Sequence, residues 1–99
     1  MSKRIQHDWL VIDSVEDLTS QFCIDFFSRP DGSLGFEVFR RAAEDQGLWE
    51  PLSHYSVLSF NSLEACCQEA LERFPWLAEV FDGYNSLADY CQHISTKLN

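Results

Sequence analysis

Seven basic residues face sixteen acidic ones in this 99-residue chain, which also holds only four glycines, three prolines and one methionine. Each shortage excludes something. Four glycines and three prolines without a repeat exclude collagen-like and low-complexity chains. No G-x-G-x-x-G and no Walker-type loop is present to cradle a phosphate. No G-x-S-x-G elbow orders a serine, histidine and aspartate into a nucleophilic triad. The four cysteines, Cys23, Cys66, Cys67 and Cys91, contain no C-x-x-C. The adjacent pair Cys66-Cys67 would point about 100° apart on a helix, which suits neither a metal site nor a mutual disulfide. His7, His54 and His93 stand apart from one another, so neither a metal nor a cofactor is expected. The start, MSKRIQHD, is polar, and the apolar run Trp9–Ile12 is too short for a signal peptide or a membrane span. The expectation is a cytoplasmic protein with reduced cysteines that serve as core residues.

The shortage of cations says most about partners. The formal charge is −9, with ten acidic residues in 1–50 and six in 51–99. Affinity for nucleic acid rests on Lys and Arg neutralising phosphates, and attachment to anionic lipid rests on the same groups. A distributed negative charge disfavours both and suits a partner with a basic surface.

What the chain has in abundance is large aromatics: eight Phe, three Trp and three Tyr. Several fall in Phe22 to Arg41, FCIDFFSRPDGSLGFEVFRR, which reads as a β-hairpin. Pro30 pre-sets φ for the first central turn position, Asp31 suits the second, and Gly32 can take φ > 0 without strain. The result is a three-residue loop with a bulge, and loop length fixes register. With strands over about 21–28 and 34–41, Arg29 lies opposite Ser33, Phe26 opposite Phe36 and Ile24 opposite Val38. Those last four, with Phe22 and Leu34, form one apolar face. The other face carries Cys23, Asp25, Phe27, Gly35, Glu37, Phe39 and Arg41. There Phe27 covers the bare backbone of Gly35, and Asp25 opposes Glu37.

Around the hairpin, Ser14-Val15-Glu16-Asp17 has the form of a capping box and predicts a short helix over 15–20. Trp49 to Phe60 predicts a third strand, irregular at Pro51 and continuous over 54–60. Asn61-Ser62-Leu63-Glu64 starts a helix, with Asn61 as cap. Leu63, Cys66, Cys67, Ala70, Leu71 and Phe74 supply its apolar stripe, and Glu69 with Arg73 forms an i,i+4 pair. Pro75 stops that helix and opens a shorter one bearing Trp76, Leu77, Val80, Phe81 and Tyr84, which ends at Asp82-Gly83. Ser86-Leu87-Ala88-Asp89 begins a last helix with Leu87, Tyr90, Cys91, Ile94 and Leu98 inward. The sum is a single α+β domain spanning 1–99: a three-stranded antiparallel sheet, then two or three helices packed on one face.

The order of hairpin, third strand and helix resembles the double-stranded RNA-binding domain, α-β-β-β-α, with 15–20 as its first helix. The resemblance implies RNA binding through a basic cluster at the start of the last helix. The matching stretch here, Asn61-Ser62-Leu63-Glu64-Ala65-Cys66, carries no Lys or Arg. Strands followed by the helix of Phe60 to Ala70 also resemble antitoxins of the HicB type, which implies an acidic binder of a small basic toxin.

The expected function is a protein-interaction or regulatory module, not an enzyme, that binds a basic protein or itself. A nucleic-acid-associated module is the alternative, and would gather Lys3, Arg4, Arg29, Arg40 and Arg41 on one face. The candidate binding residues are Asp25, Phe27, Glu37 and Phe39, on the hairpin face opposite the core. Aromatics anchor interfaces, and directly opposed carboxylates need an offset, either a cation, Lys or Arg of a partner, or Arg41 or Arg29 of this chain lying nearby with the pair solvated. The competing expectation is that the N-terminal segment 9–20, whose Trp9, Leu10 and Ile12 need burial, covers that face.

Overall fold

A computed structural model describes residues 8–42, 48–52, 55–80 and 89–92. Four strands run in chain order across one antiparallel sheet: β1 (Leu10–Glu16), β2 (Phe22–Ser28), β3 (Leu34–Ala42) and β4 (Leu48–Pro51). A 3-10 turn (Tyr55–Val57) follows, then α1 (Leu63–Arg73), the short α2 (Leu77–Val80) and a helical turn at 89–92.

The β2–β3 hairpin adopts the register its loop dictates. Phe26 opposes Phe36, Ile24 opposes Val38, Asp25 opposes Glu37 and Phe27 opposes Gly35. The Arg29 N–H bonds to Ser33 O and the Gly32 N–H to Arg29 O, both at 2.9 Å, with Gly32 at φ 89°. Asp31 accepts the Ser33 N–H at 2.9 Å, which holds its carboxyl below the usual carboxylate range.

The sheet has four strands where the sequence predicts three, because Leu10–Ile12 of the apolar run, readable as a strand or as a core-contacting segment, belongs to β1. The helix predicted over 15–20 does not form. Val15 and Glu16 end β1, and the chain then turns. The would-be cap Ser14 instead donates across the sheet to Asp25 Oδ1 at 2.6 Å. Asp17 builds the turn, since its Oδ1 accepts the N–H groups of Gln21 (2.9 Å) and Phe22 (3.2 Å). Partial burial, the largest influence on Asp17, raises its pKa. Bonds from the Thr19 hydroxyl and the Phe22 and Gln21 amides outweigh that and leave it lowered. Ser20 sits in the left-handed region at φ 60°, held by its N–H on Asp17 O and by Arg41 Nε on its carbonyl. With no helix before the sheet among the described residues, their β-β-β-β-α order departs from that of the double-stranded RNA-binding domain.

β1 carries a bulge. Val11 pairs with Phe27 and Asp13 with Phe26, leaving Ile12 as the extra residue. A bulge lets two successive side chains turn toward one face. Ile12 enters the core, and Asp13, also on that side, accepts the Tyr90 hydroxyl at 2.7 Å.

The third predicted strand is also displaced. The paired segment is β4, which includes Pro51 opposite Phe39, whereas the stretch predicted as continuous over 54–60 contains the 3-10 turn. Pro51 is tolerated because β4 is an edge strand. Phe60 then returns to an isolated bridge with Leu34, exchanging bonds of 2.9 Å in both directions. That return comes four residues later than an unbroken ladder would place it.

The core lies between one sheet face and the helices. Ile12, Ile24, Phe26, Leu34, Phe36 and Val38 meet Leu63, Cys66, Cys67, Ala70, Leu77, Tyr90 and Cys91. Phe22, predicted as core, is half-buried at the strand end. The stripe of α1 is buried as its spacing predicts, but the cap is Ser62 rather than Asn61: the Ser62 Oγ accepts the Ala65 N–H at 3.1 Å. Arg73 pairs with Glu69 and its guanidinium lies over Tyr55. The predictions at Phe81, Asp82-Gly83, Tyr84, 86–88, Ile94 and Leu98, and all three histidines, fall outside the described residues. No described helix is long and apolar enough to cross a membrane.

Candidate functional site

The second face of the hairpin brings Asp25, Phe27, Glu37 and Phe39 together, as their register requires. Three of the four are withdrawn from solvent: Phe27 and Glu37 are fully buried and Phe39 is 9% exposed. The N-terminal segment supplies part of the cover. Trp9 stacks on Phe27 with ring centroids 4.8 Å apart and 12° between planes. The Arg29 guanidinium lies 4.5 Å from the Trp9 centroid and 4.9 Å from that of Phe27. Under this layer is Gly35, where a Cβ would stand 2.9 Å from two atoms of the Phe27 ring. Glycine is needed here so that the ring can lie on the backbone.

Glu37 explains how the face tolerates opposed carboxylates. β4 leaves β3 after the Leu52 N–H bonds to Val38 O at 2.8 Å. Beyond that point the Val38 N–H has lost its strand partner. Glu37 Oε1 takes it at 3.0 Å, and Oε2 accepts the Ser56 N–H at 3.3 Å. One side chain therefore patches the gap in the ladder and tethers the 3-10 turn. Arg29 secures the same turn from the other polarity, donating from Nη2 to Ser56 O at 2.5 Å and Leu58 O at 3.2 Å. The Ser56 residue is gripped at its N–H by an anion and at its C=O by a cation.

Asp25 looks the other way. Oδ1 accepts the Ser14 hydroxyl and, at 3.4 Å, the Cys23 thiol. Burial first, and then the Asp25 charge, push the Cys23 thiol up to about 12, so it remains protonated and unreactive. The offsets to like charge at this pair are hydrogen bonds to two different parts of the chain. Such an arrangement orders a sheet face. For general acid–base work, each carboxylate would need an oxygen directed at a substrate proton.

The remaining described cations are also engaged. Arg40 pairs with Glu50. Arg41 lies 4.2 Å over the Trp49 ring and 3.8 Å from Glu16. Arg29, Arg40 and Arg41, three of the five residues that a nucleic-acid face would gather, are each committed to the fold. Lys3 and Arg4 lie outside the described residues. Among those residues no group of three or more His, Cys, Asp or Glu could hold a metal ion.

Sequence reasoning placed the four candidates on one face and offered Arg29 and the Trp9 segment as neighbours, both of which the structure puts there, but missed Ser56. A signal for Arg29 existed in its position at the hairpin's closing pair, on the same side as Phe27. Nothing in the sequence marks Ser56. No protein-family model, curated protein or solved structure matches this chain.

Proposed function

We propose that this protein is a small acidic module that acts by binding a protein with a basic surface. The observation that carries the reading is electrostatic. The chain has a net charge of −9, and its described arginines, Arg29, Arg40, Arg41 and Arg73, are bound to its own carbonyls, carboxylates and rings. Exposed acids such as Asp8, Glu64, Glu72, Glu79 and Asp89 therefore set the field a partner meets. Free, buried cysteines fit a reducing cytoplasm. Asp25, Phe27, Glu37 and Phe39 serve this function as a buried scaffold, with Asp25 the most accessible of the four.

Two measurements test the reading. Titration of the purified protein with basic and with acidic proteins of similar size should show association with the basic set only. The association should weaken steeply between about 50 and 200 mM salt, as the screening length shortens. Retarded migration of double-stranded RNA or DNA at physiological salt, with no response to basic proteins, would overturn it in favour of the nucleic-acid reading.

A further inference from the structure

The two edges of the sheet differ in how they meet solvent. β4 is guarded: it is four residues long, contains Pro51, and gives way to the 3-10 turn. β1 is seven residues long and contains neither Pro nor Lys; its own guards, the bulge at Ile12 and the inward Asp13, leave Ser14 to Glu16 beyond them. Its only strand neighbour among the described residues is β2.

The register identifies which backbone groups of β1 face outward. The Asp17 N–H bonds to Phe22 O at 3.0 Å, so Asp17 and Phe22 form a hydrogen-bonded pair. Antiparallel ladders alternate, which makes Val15–Ile24 the next bonded pair. Ser14 and Glu16 lie at the intervening positions, and their N–H and C=O groups point away from β2. Both side chains are exposed, as are Leu10 at 60% and Val11 at 41% beyond the bulge. Among the described residues, the stretch from Ser14 to Glu16 is thus a short open ladder, closed at one end by the bulge and at the other by the Asp17 turn.

Charge selects the occupant. Residues 8–28 hold Asp8, Asp13, Glu16, Asp17 and Asp25, and no Lys or Arg. A second copy pairing antiparallel through β1 would set these acids against themselves, which like-charge pairing disfavours. We propose that β1 is a docking edge for an extended basic segment of the partner, which adds as a fifth strand beside Ser14 and Glu16. This rests on the basic-partner reading above and gives it a location. The chemistry of the segment follows from the faces. On one side of the new strand its residues would lie beside Ser14 and the exposed Glu16, whose carboxylate stands 3.8 Å from Arg41, and this favours Lys or Arg. On the other they would lie beside Val15, partly buried against the core, which favours β-branched apolar residues. The partner segment therefore alternates basic and β-branched residues.

The test uses the full chain and a synthetic peptide of alternating lysine and valine, with a valine–glutamate peptide as control. Amide chemical shifts on titration should change most at Ser14 and Glu16. Glu16→Pro removes an outward N–H without removing a ladder bond, and Glu16→Lys reverses the local charge. Each should weaken binding of the lysine peptide at least tenfold, with circular dichroism showing that the fold is retained. Glu16→Lys keeps the test decisive if the proline variant does not fold. Tight binding that maps to another surface and survives both variants would overturn the docking edge and leave the basic-partner reading standing. No binding at millimolar peptide would overturn both. A dimer by light scattering that Glu16→Pro abolishes would make a second copy the occupant and overturn the inference.

Discussion

Replacing Glu37 by Gln isolates the role of a buried carboxylate in closing a gap in the sheet. The shape is conserved, but the amide offers one accepting oxygen where the carboxylate offers two, and its nitrogen is a donor. Either the Val38 or the Ser56 N–H is then turned toward a nitrogen that cannot accept from it, at a side chain with no exposure to solvent. A hydrogen bond to a charged group contributes about 1.5–3 kcal/mol, and a buried orphaned donor costs about 1–3 kcal/mol. The expected loss is about 2–3 kcal/mol, which for a domain of this size lowers Tm by about 10–20 °C. Urea unfolding should give a lower midpoint with an unchanged slope. Glu37→Leu orphans both donors and should cost more than Glu37→Gln. Because Arg29 grips the carbonyl of the residue whose N–H Glu37 holds, the cycle of Glu37→Gln with Arg29→Met should show a coupling of about 0.5 kcal/mol or more. A Glu37→Leu protein more stable than the native protein would mean that desolvating the charge outweighs the bonds it makes, and would refute the reasoning.

Other outcomes follow from the same structure. Gly35→Ala places a methyl group against the buried Phe27 ring and should destabilise by about 1–3 kcal/mol; the quenching environment of Trp9, read by its fluorescence, should change with it. Ser20→Gly relieves the left-handed strain at φ 60° and should be neutral to stabilising, by up to about 1 kcal/mol in thermal unfolding. Burial pushes the Cys66 thiol up to about 12, above the unfolded value near 8.5. Its contribution is therefore complete below about pH 8.5 and is lost as pH rises through the folded value, at about 1.4 kcal/mol per pH unit. A Cys66→Ala protein should lose stability less steeply between pH 8.5 and 10 in urea titrations, and an identical slope would count against this assignment.

The hairpin could be read from the sequence because loop chemistry and strand register are both local. Pro30, Asp31 and Gly32 set the turn, and the turn sets which residue opposes which. The stripe of α1 was legible for the same reason, since its spacing is a property of the helix alone. β1 was not. The bulge at Ile12 shifts the alternation midway, so neither Leu10, Ile12, Ser14 and Glu16 nor Val11, Asp13 and Val15 reads as an apolar face. Ser14 and Asp17 then resemble a capping box. The run Tyr55–Phe60 has strand-forming side chains but carries too many residues to stay in register between Leu52 and Phe60. Within the candidate site, co-location on one face followed from register. Arg29 was legible from its place at the closing pair and Trp9 from its need for burial, but Ser56 arrives from beyond β4 and no local pattern encodes its approach.

The strand order of the sheet also bears on how the chain folds. Each strand docks on its predecessor in the chain, so every pairing closes a short loop and the entropic cost of bringing distant segments together is small. Tyr90 and Asp13 stand apart from this pattern, joined by a hydrogen bond across 77 residues of sequence. A contact of that sequence separation is expected to form after the meander, on the native side of the folding barrier. Tyr90→Phe should accelerate unfolding while leaving the refolding rate nearly unchanged in stopped-flow chevrons. The length of time the native state persists is then set by the clasp between the last described helical turn and the first strand, and the speed with which it is reached by the hairpins.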